Sequence, residues 1–415
     1  MKLSLQNVNK FTDASIEING ITIVGGPNST GKSSIGKALY CMFNGFFIDE
    51  EFYDRMRGNA VRNVLREIVF GDNRFFNEAH DQIARMSEII RECWQNGDDV
   101  DWTELTNYLH DNFPALQQEA VDGLLTTLQS IMQVTDEVLL KAKVHLQFME
   151  EFSGQVGKIG DPSGSVVRLQ IKDKMLEVEF DKQLDKTRVN CPFLLINQAV
   201  YIDDPFVLNR QYRLEKNRLT ANDHRTHLMH LLVKPSANSL IEGILTNDKL
   251  KAVFNSLDNI CAGELVFDSA AGAFRYKERN SSESVNSGNI SAGLQTVLIL
   301  HRLFSNHAIH ENGTLILDEP EIHLHPAWQL VLAECLVLLQ KEYGLHILAA
   351  SHSPYFIRAM EVYAYKHGLK AKLKFYKTSV AEGNFKLEDV TANPNVIYEE
   401  LSQPLQDLAN AQYAD

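Results

Sequence analysis

The residues best suited to chemistry near the N-terminus form the run GGPNSTGKSS, residues 25–34. From Gly26 to Ser33 this run fits the pattern G-x-x-x-x-G-K-[ST]. In such a loop, backbone N–H groups surround phosphate oxygens, and the N-terminus of the following helix adds its dipole. We expect Lys32 to reach the β- and γ-phosphates and the Ser33 hydroxyl to bind Mg²⁺. The run therefore predicts a nucleoside triphosphate site. Its residues are Gly26, Pro27, Asn28, Ser29, Thr30, Gly31, Lys32, Ser33 and Ser34.

The segments around this run occur in the order that the pattern needs. INGITIVGG, before it, is β-branched and predicts a short strand, and SSIGKALYCMF, after it, has apolar residues at helical spacing. A chance glycine-rich turn is the alternative, but it would not require a strand before it and a helix after it. We therefore favour the phosphate-binding interpretation.

Two later segments end apolar strands with polar side chains. TLILDEPE ends in Asp318 and Glu319, and HILAASHSP ends in Ser351 and His352. In a parallel sheet these strand ends meet at the edge where ligands bind. We expect Asp318 to hold Mg²⁺, Glu319 to polarise an attacking water and His352 to contact the γ-phosphate. The alternatives are two solvated acids and a capping or core histidine.

NISAGLQTVLIL places Ser291 and Gly293 just before an apolar helix. A serine hydroxyl and backbone N–H groups at a helix N-terminus form a second anion cradle. One nucleotide rarely needs two cradles, so this one is expected to serve the nucleotide of another subunit.

In chain order, GPNSTGKSS, NISAGLQ, LILDEPEIHLHP and ASHSP resemble the Walker A, signature, Walker B and switch-histidine motifs of ABC-type ATPases. The signature departs from L-S-G-G-Q, because Ile290 replaces Leu and Ala292 replaces the first Gly. This form, together with DEPEIHLHP, is similar to the branch that contains the overcoming-lysogenization-defect (OLD) family and SMC- and RecF-like proteins. The likeness lies mainly in residues 1–45 and 285–378.

The resemblance implies an ATPase that binds ATP and Mg²⁺ and forms a head-to-head homodimer or a higher homo-oligomer. Lys32 and Ser33 of one subunit would face the signature of the other, which consists of Ser291, Ala292, Gly293 and Gln295. Gln198 would correspond to the Q-loop residue at Mg²⁺. Phe11 or Lys10 would contact adenine. OLD proteins also carry a C-terminal Toprim nuclease, for which too few residues follow His352, so a separate effector protein is expected.

The predicted fold class is α/β, an ABC-type ATPase head with a mixed and parallel sheet flanked by helices and an inserted helical lobe. Four segments follow from the patterns: the N-terminal head (1–46), the helical insertion (47–155), the middle of the head (156–285) and the C-terminal part (286–415). Breaks in the insertion are expected at Gly71, Gly97 and Pro114. The hairpin LKFYKTSVAEGNFKLEDV is expected at a sheet edge, before a final helix.

The composition indicates a soluble cytoplasmic protein. The formal net charge is −14, and the five cysteines are scattered without a C-x-x-C pair, which argues against a disulfide scaffold or a zinc site. The first residues lack the apolar core of a signal peptide, and no apolar stretch is long enough to span a membrane.

Residues 206–234 form a local basic stretch in this acidic chain. It is a candidate surface for nucleic acid or a protein partner, with Arg210, Arg213 and Asn217 on one helical face, and a solvated basic helix is the equal alternative. Within it, Arg225 and His230 fit the short R-x4-6-H pattern of HEPN ribonucleases, which also occurs by chance.

The favoured function is an ATP-driven sensor or scaffold that controls a separate nuclease or toxin in an anti-phage complex. The chain resembles the ATPase subunits of the Septu and PARIS systems. A RecF- or SMC-like DNA repair ATPase remains open, although the net acidity disfavours it. The ATP subunit of a membrane transporter fits less well, because of the long helical insertion.

Overall fold

The computed structural model describes residues 1–70, 84–91, 101–114, 116–158, 160–161, 163–181, 186–211, 223–234, 253, 263–381 and 384–412. The chain divides into two compact units. The first, here called the head, consists of Met1–Phe47, Val144–Leu214 and Ala221–Asp415. The second, here called the helical unit, consists mainly of Ile48–Lys143.

The strands of the head form two sheets. They are β1 (Lys2–Val8), β2 (Phe11–Glu17), β3 (Ile21–Gly25), β4 (Ser165–Ile171), β5 (Lys174–Phe180), β6 (Thr187–Asn190), β7 (Ala199–Ile202), β8 (Gly263–Asp268), β9 (Ala273–Glu278), β10 (Ser284–Asn286), β11 (Thr314–Asp318), β12 (His346–Ser351), β13 (Leu373–Ala381) and β14 (Asn384–Asp389). An 11-stranded sheet has the order β6-β5-β4-β1-β2-β14-β13-β3-β12-β11-β7, and a 3-stranded sheet has the order β10-β9-β8.

Five neighbouring strands of the large sheet, β13, β3, β12, β11 and β7, run parallel. Every residue of β3 and β7 is buried, as expected for strands covered on both faces. Gly25 pairs with Ser351, and Asp318 pairs with Ala350. The ends of β3, β12 and β11 therefore meet at one edge, here called the carboxyl edge.

The C-terminal hairpin is antiparallel as predicted, but its predicted place at a sheet edge is wrong. β13 pairs in parallel with β3, and β14 pairs in parallel with β2 through Phe385 and Phe11. The hairpin thus fills the interior of the sheet. It does so because β2 and β3, although consecutive in the sequence, do not pair with each other.

Helices pack against the large sheet. The helices of the head are α1 (Lys32–Phe46), α6 (His224–Val233), α7 (Ala292–Ser305), α8 (Pro326–Tyr343), α9 (Pro354–Lys366) and α10 (Asn395–Gln412). Between Lys32 and Phe46 all residues except Ser33 and Lys37 are buried, and α1 contacts β7, β11 and β12. The predicted mixed and parallel sheet flanked by helices is confirmed.

The helical unit contains α2 (Phe52–Phe70), α3 (Trp102–Asn112), α4 (Gln118–Met132) and the start of α5 (Asp136–Glu151), whose residues from Val144 onward belong to the head. Residues 84–91 are also helical. A separate apolar core includes Leu65, Leu109 and Leu124. The break predicted at Pro114 is confirmed between α3 and α4, whereas Gly71 and Gly97 lie outside the described residues.

Other local predictions have mixed outcomes. Residues 165–180 and 263–278 form the antiparallel hairpins β4–β5 and β8–β9. At the start of the basic stretch, Pro205–Asn209 forms a 3₁₀ turn, and Arg210 after it has an extended backbone, so the prediction that Arg210 lies on a helical face is wrong. The later part of the stretch, α6, is helical, while Arg213 and Asn217 lie outside the described residues. Among the helices that the structure describes, none combines the length and apolarity needed to cross a bilayer.

Candidate active site

The glycine-rich loop connects the end of β3 to the first turn of α1 at the carboxyl edge. Lys32, only 5% exposed, donates hydrogen bonds to the carbonyl oxygens of Gly26 (2.9 Å) and Pro27 (2.8 Å). Burial lowers the pKa of its ammonium, and the nearby Glu319 and Asp318 carboxylates act in the opposite direction. The loop therefore holds a cation at its centre, next to the carboxylates of Asp318 and Glu319.

Gly31 fixes the shape of this loop. Its φ of 97° lies in the left-handed region, and a Cβ added there would come within 2.7 Å of the Phe11 ring. Phe11 itself is 0% exposed. The suggested contact of Phe11 with adenine is therefore wrong, because its ring packs under the loop. Lys10 donates a hydrogen bond to the Ser29 carbonyl and lies 5.2 Å from the centre of the Phe385 ring.

The β13–β14 hairpin also contacts the glycine-rich loop, through Thr378. The Thr378 hydroxyl of β13 lies 2.7 Å from the Thr30 hydroxyl and donates to the Gly25 carbonyl at 3.3 Å. The Thr30 hydroxyl also donates to the Pro27 carbonyl at 2.7 Å. These buried contacts couple the loop conformation to residues more than three hundred positions later.

Asp318 lies at the end of β11 with its carboxylate facing Ser33 and Tyr201. The Tyr201 hydroxyl donates to Oδ2 at 3.2 Å, and Oδ1 is buried with no hydrogen-bond partner among the described residues. Burial raises the pKa of Asp318, and hydrogen bonds from Ser33 and Tyr201 partly offset the effect. A hydroxyl and a carboxylate with an unpaired oxygen are oxygen ligands of the kind that Mg²⁺ prefers, so Ser33 and Asp318 fit a magnesium site.

Glu319 and His352 meet at the carboxyl edge. His352 Nδ1 lies 3.0 Å from Glu319 Oε1, and the two side chains are 38% and 26% exposed. The Glu319 backbone adopts φ 51° and donates its N–H to the Ala350 carbonyl at 2.8 Å. A left-handed backbone is unfavourable for glutamate, and such strain is typical of functional positions. The structure thus brings Lys32, Ser33, Asp318, Glu319 and His352 together.

The predicted signature residues surround the N-terminus of α7. Ser291 is the N-cap and is exposed, and its hydroxyl accepts a hydrogen bond from the Leu294 N–H at 3.4 Å. A Cβ on Gly293 would come within 2.8 Å of the His323 carbonyl oxygen, so glycine permits close packing of α7 on the loop that follows Glu319. Ala292, between Ser291 and Gly293, is the first residue of the helix and is half-buried.

Gln295 occupies a different environment from that predicted for a residue facing another subunit. It is 1% exposed, and its amide donates to the Ser287 carbonyl at 2.9 Å and the Ile290 carbonyl at 3.3 Å. Its side chain therefore supports the turn before α7 within its own subunit. The proposed contacts of Ser291, Ala292 and Gly293 with a second subunit stay predictions.

Gln198 is not brought to the carboxyl edge. Gln198 was expected at Mg²⁺, but it precedes β7, which begins at Ala199 and runs parallel to β11. Gln198 therefore lies at the opposite edge of the sheet from Asp318, where its Oε1 is 3.2 Å from His227 Nε2. This placement does not suit a magnesium ligand.

Asp203, which follows β7 at the carboxyl edge, belongs instead to a buried ionic cluster with His224 and Glu151. His224 Nδ1 lies 2.8 Å from Glu151 Oε1, and His224 Nε2 lies 2.9 Å from Asp203 Oδ2. The Tyr201 ring stacks on the imidazole with centroids 4.3 Å apart. Burial lowers the pKa of His224, but the hydrogen bonds and charges of the two carboxylates outweigh it and raise the pKa to about 9. A cationic imidazole thus supports the tyrosine that contacts Asp318.

This cluster predicts a loss of stability at alkaline pH. Because the pKa of folded His224, about 9, exceeds its ordinary value of 6.5, the stabilisation is complete below pH 6.5 and is lost as the pH rises through 9. The shift corresponds to at most ~3 kcal/mol. Urea unfolding should show the free energy of unfolding falling across this range in the wild type but not in His224→Gln, which should be less stable at neutral pH. Parallel pH profiles for the two proteins would contradict this role.

Arg225 and His230 do not form a ribonuclease centre. Arg225 makes a two-pronged ion pair with Asp203, with Nε–Oδ1 at 3.0 Å and a terminal guanidinium nitrogen 2.6 Å from Oδ2. Residues five apart on a helix point in different directions.

Sequence reasoning missed Tyr201, Glu321 and Thr378, all of which contact the site. Each is brought there by a partner far away in the sequence, and a hydroxyl or carboxylate inside an apolar strand or loop gives no local motif. The only available signal was the second glutamate in DEPE, which precedes the paired histidines.

Comparisons with known proteins agree with a nucleotide-binding domain. Residues 177–358 match the family model described as "AAA domain, putative AbiEii toxin, Type IV TA system". No curated protein matches the chain.

Solved structures similar to the chain include the SMC head domain from Thermotoga maritima, at 11% identity, with 94% of this chain and 98% of that chain covered and a TM-score of 0.40. Another is an SMC head bound to the C-terminal winged-helix domain of ScpA, at 10% identity, with coverage of 95% and 98% and a TM-score of 0.41. A third is the Pyrococcus furiosus SMC head with an extended coiled coil, bound to the C-terminal domain of ScpA, at 10% identity, with coverage of 96% and 98% and a TM-score of 0.42.

Proposed function

We propose that the chain is an ATPase that acts as a molecular switch. The observation that carries this proposal is the convergence of Lys32, Ser33, Asp318, Glu319 and His352 at the carboxyl edge, from three separate segments. This set contains a phosphate-binding cation, oxygen ligands for Mg²⁺ and a carboxylate beside a histidine. Bound Mg²⁺ would neutralise charge on the phosphates.

The side chains have separate roles in the proposed hydrolysis. Lys32 would exchange its Gly26 and Pro27 carbonyl partners for phosphate oxygens, and Ser33 and Asp318 would hold Mg²⁺. Glu319 orients the attacking water and accepts its proton, since a carboxylate at this position is the available general base. His352, in contact with Glu319, binds the γ-phosphate oxygens and orients the glutamate.

The switch is a head-to-head dimer that closes on ATP and opens after hydrolysis. Exposed Ser291 and the N-terminus of α7 supply the surface for the nucleotide of the second subunit. The close packing of Gly293 on the His323 backbone supports this proposal, because it links the signature helix to the loop of the catalytic glutamate. Closure would therefore be sensed at the hydrolytic site.

We further propose that this switch controls a separate nuclease or toxin in a cytoplasmic anti-phage complex. The match to a family model whose description names a toxin and a toxin–antitoxin system supports this role. The helical unit provides a candidate surface for the effector.

Phage challenge of the native host tests the defence role. Phage should form fewer plaques on cells with the wild-type gene than on cells with Lys32→Ala or Glu319→Gln. Cells with the Lys341→Ala control should give the same number of plaques as the wild type. Equal plaque numbers in all strains would contradict a role in defence. Purified protein whose ATPase activity rises on addition of DNA alone would instead favour the DNA repair function.

Tyr201→Phe is expected to weaken Mg²⁺ binding while leaving the fold intact. The substitution keeps the ring that stacks on His224 but removes the hydroxyl that donates to Asp318 Oδ2. Loss of a hydrogen bond to a metal ligand typically lowers metal affinity by about 10- to 100-fold. The Mg²⁺ concentration at half-maximal binding of a fluorescent ATP analogue should rise accordingly. An unchanged Mg²⁺ midpoint would show that Tyr201 has no part in the metal site.

A further inference from the structure

Glu321 is a buried carboxylate that joins two loops of the site. It lies two residues after Glu319, and it is 3% exposed. Its Oε1 accepts hydrogen bonds from the Ser351 hydroxyl and from the backbone N–H groups of His352 and Ser353, the last two at 3.2 Å each. The donors are the last residue of β12 and the two residues between β12 and α9, a segment here called the histidine turn. One carboxylate oxygen therefore binds one hydroxyl and two backbone N–H groups of this segment.

This arrangement determines where His352 stands relative to Glu319. Both of those side chains are partly exposed, so burial does not fix their contact. Hydrogen bonds fix the backbones of both residues instead. Glu319 is tied to the Ala350 carbonyl, and the His352 N–H is tied to Glu321. Glu321 thus sets the distance between the loop that carries Glu319 and the turn that carries His352.

The stability of the fold alone does not explain this carboxylate. Its second oxygen, Oε2, is buried with no hydrogen-bond partner among the described residues. Burying a carboxylate with an unpaired oxygen is unfavourable, and a smaller neutral residue would avoid the cost. A role in the site accounts for its presence.

We propose that Glu321 is a positioning residue for ATP hydrolysis that acts through His352. It holds the histidine turn so that the imidazole contacts Glu319 and faces the γ-phosphate. This inference rests on the proposed ATPase function. It predicts that Glu321 matters for the rate of hydrolysis and not for the affinity of ATP, because its hydrogen bonds go to the histidine turn rather than to the phosphate loop.

A double-mutant cycle tests this role. Steady-state kcat and KM for ATP are measured for the wild type, Glu321→Gln, His352→Ala and the double variant. Glu321→Gln should lower kcat by about 10-fold with KM within about twofold of the wild type. In the His352→Ala background the same substitution should change kcat by less than about twofold, since residues that act as a unit are not additive.

Multiplicative losses in the double variant, or a Glu321→Gln variant with wild-type kcat, would overturn the positioning role while leaving the ATPase function intact. A wild-type protein that binds ATP without turnover would overturn the proposed function, and this role with it. If Glu321→Gln fails to fold, Ser351→Ala removes only one of the three donors and provides the same cycle. A smaller loss of kcat that vanishes in the His352→Ala background would support the proposal, and independent losses would overturn it.

Discussion

Lys32→Ala is expected to lower the affinity for ATP by about 100-fold, equivalent to ~3 kcal/mol for lost charge-assisted hydrogen bonds to phosphate. The side chain is buried at the centre of the loop, and among the described residues no other lysine or arginine donates to the Gly26 and Pro27 carbonyls. The loop would keep its glycine and threonine contacts, so the thermal midpoint of unfolding should change little. Equilibrium titration with a fluorescent ATP analogue measures the effect.

Lys341→Ala is the matched control, because it removes the same charge from an exposed position in the last turn of α8. It should bind ATP as the wild type does. Wild-type affinity in Lys32→Ala would mean that the nucleotide does not occupy this loop, and the proposed function would then be wrong.

Glu319→Gln is expected to lower kcat by about 100- to 10,000-fold, the usual contribution of a general base. ATP binding should persist, because the amide has the same shape and the loop cation is untouched. With hydrolysis blocked, ATP should hold the heads together. Size-exclusion chromatography should therefore show a dimer in the presence of ATP and Mg²⁺ that the wild type forms only transiently.

Glu342→Gln, which makes the same change on the exposed end of α8, should leave turnover and elution volume unchanged. Two results would contradict the assignment. Retained turnover in Glu319→Gln would show that another residue orients the water, and a monomer at saturating ATP would show that the heads do not close on the nucleotide.

The site residues that could be predicted from the sequence are those that the backbone positions locally. The phosphate loop is contiguous, and Asp318, Glu319 and His352 follow apolar strands whose parallel pairing brings their ends together. For these residues a strand boundary correct to within one position was sufficient. Gln198 precedes its strand instead of following it, and it therefore lies at the opposite edge.

The features that could not be predicted depend on contacts between distant segments. The sequence pattern of the β13–β14 hairpin is the same at an edge or in the interior, and only its pairing with β2 and β3 distinguishes the two. Likewise, His224 is an ordinary histidine in a basic stretch until Glu151 and Asp203 enclose it. Side-chain periodicity carries no information about such partners.

The interior position of the C-terminal hairpin has a consequence for how the protein is made. A ribosome releases β3 and the phosphate loop early, but the strand that flanks β3 and supplies Thr378 emerges only after most of the chain. Until then β3 has an open side in the nascent chain, and long-range pairing of this kind is slow. In the proposed switch, the newborn polypeptide would thus acquire its complete phosphate loop late in translation, which would keep an unfinished subunit from closing on ATP with a finished one.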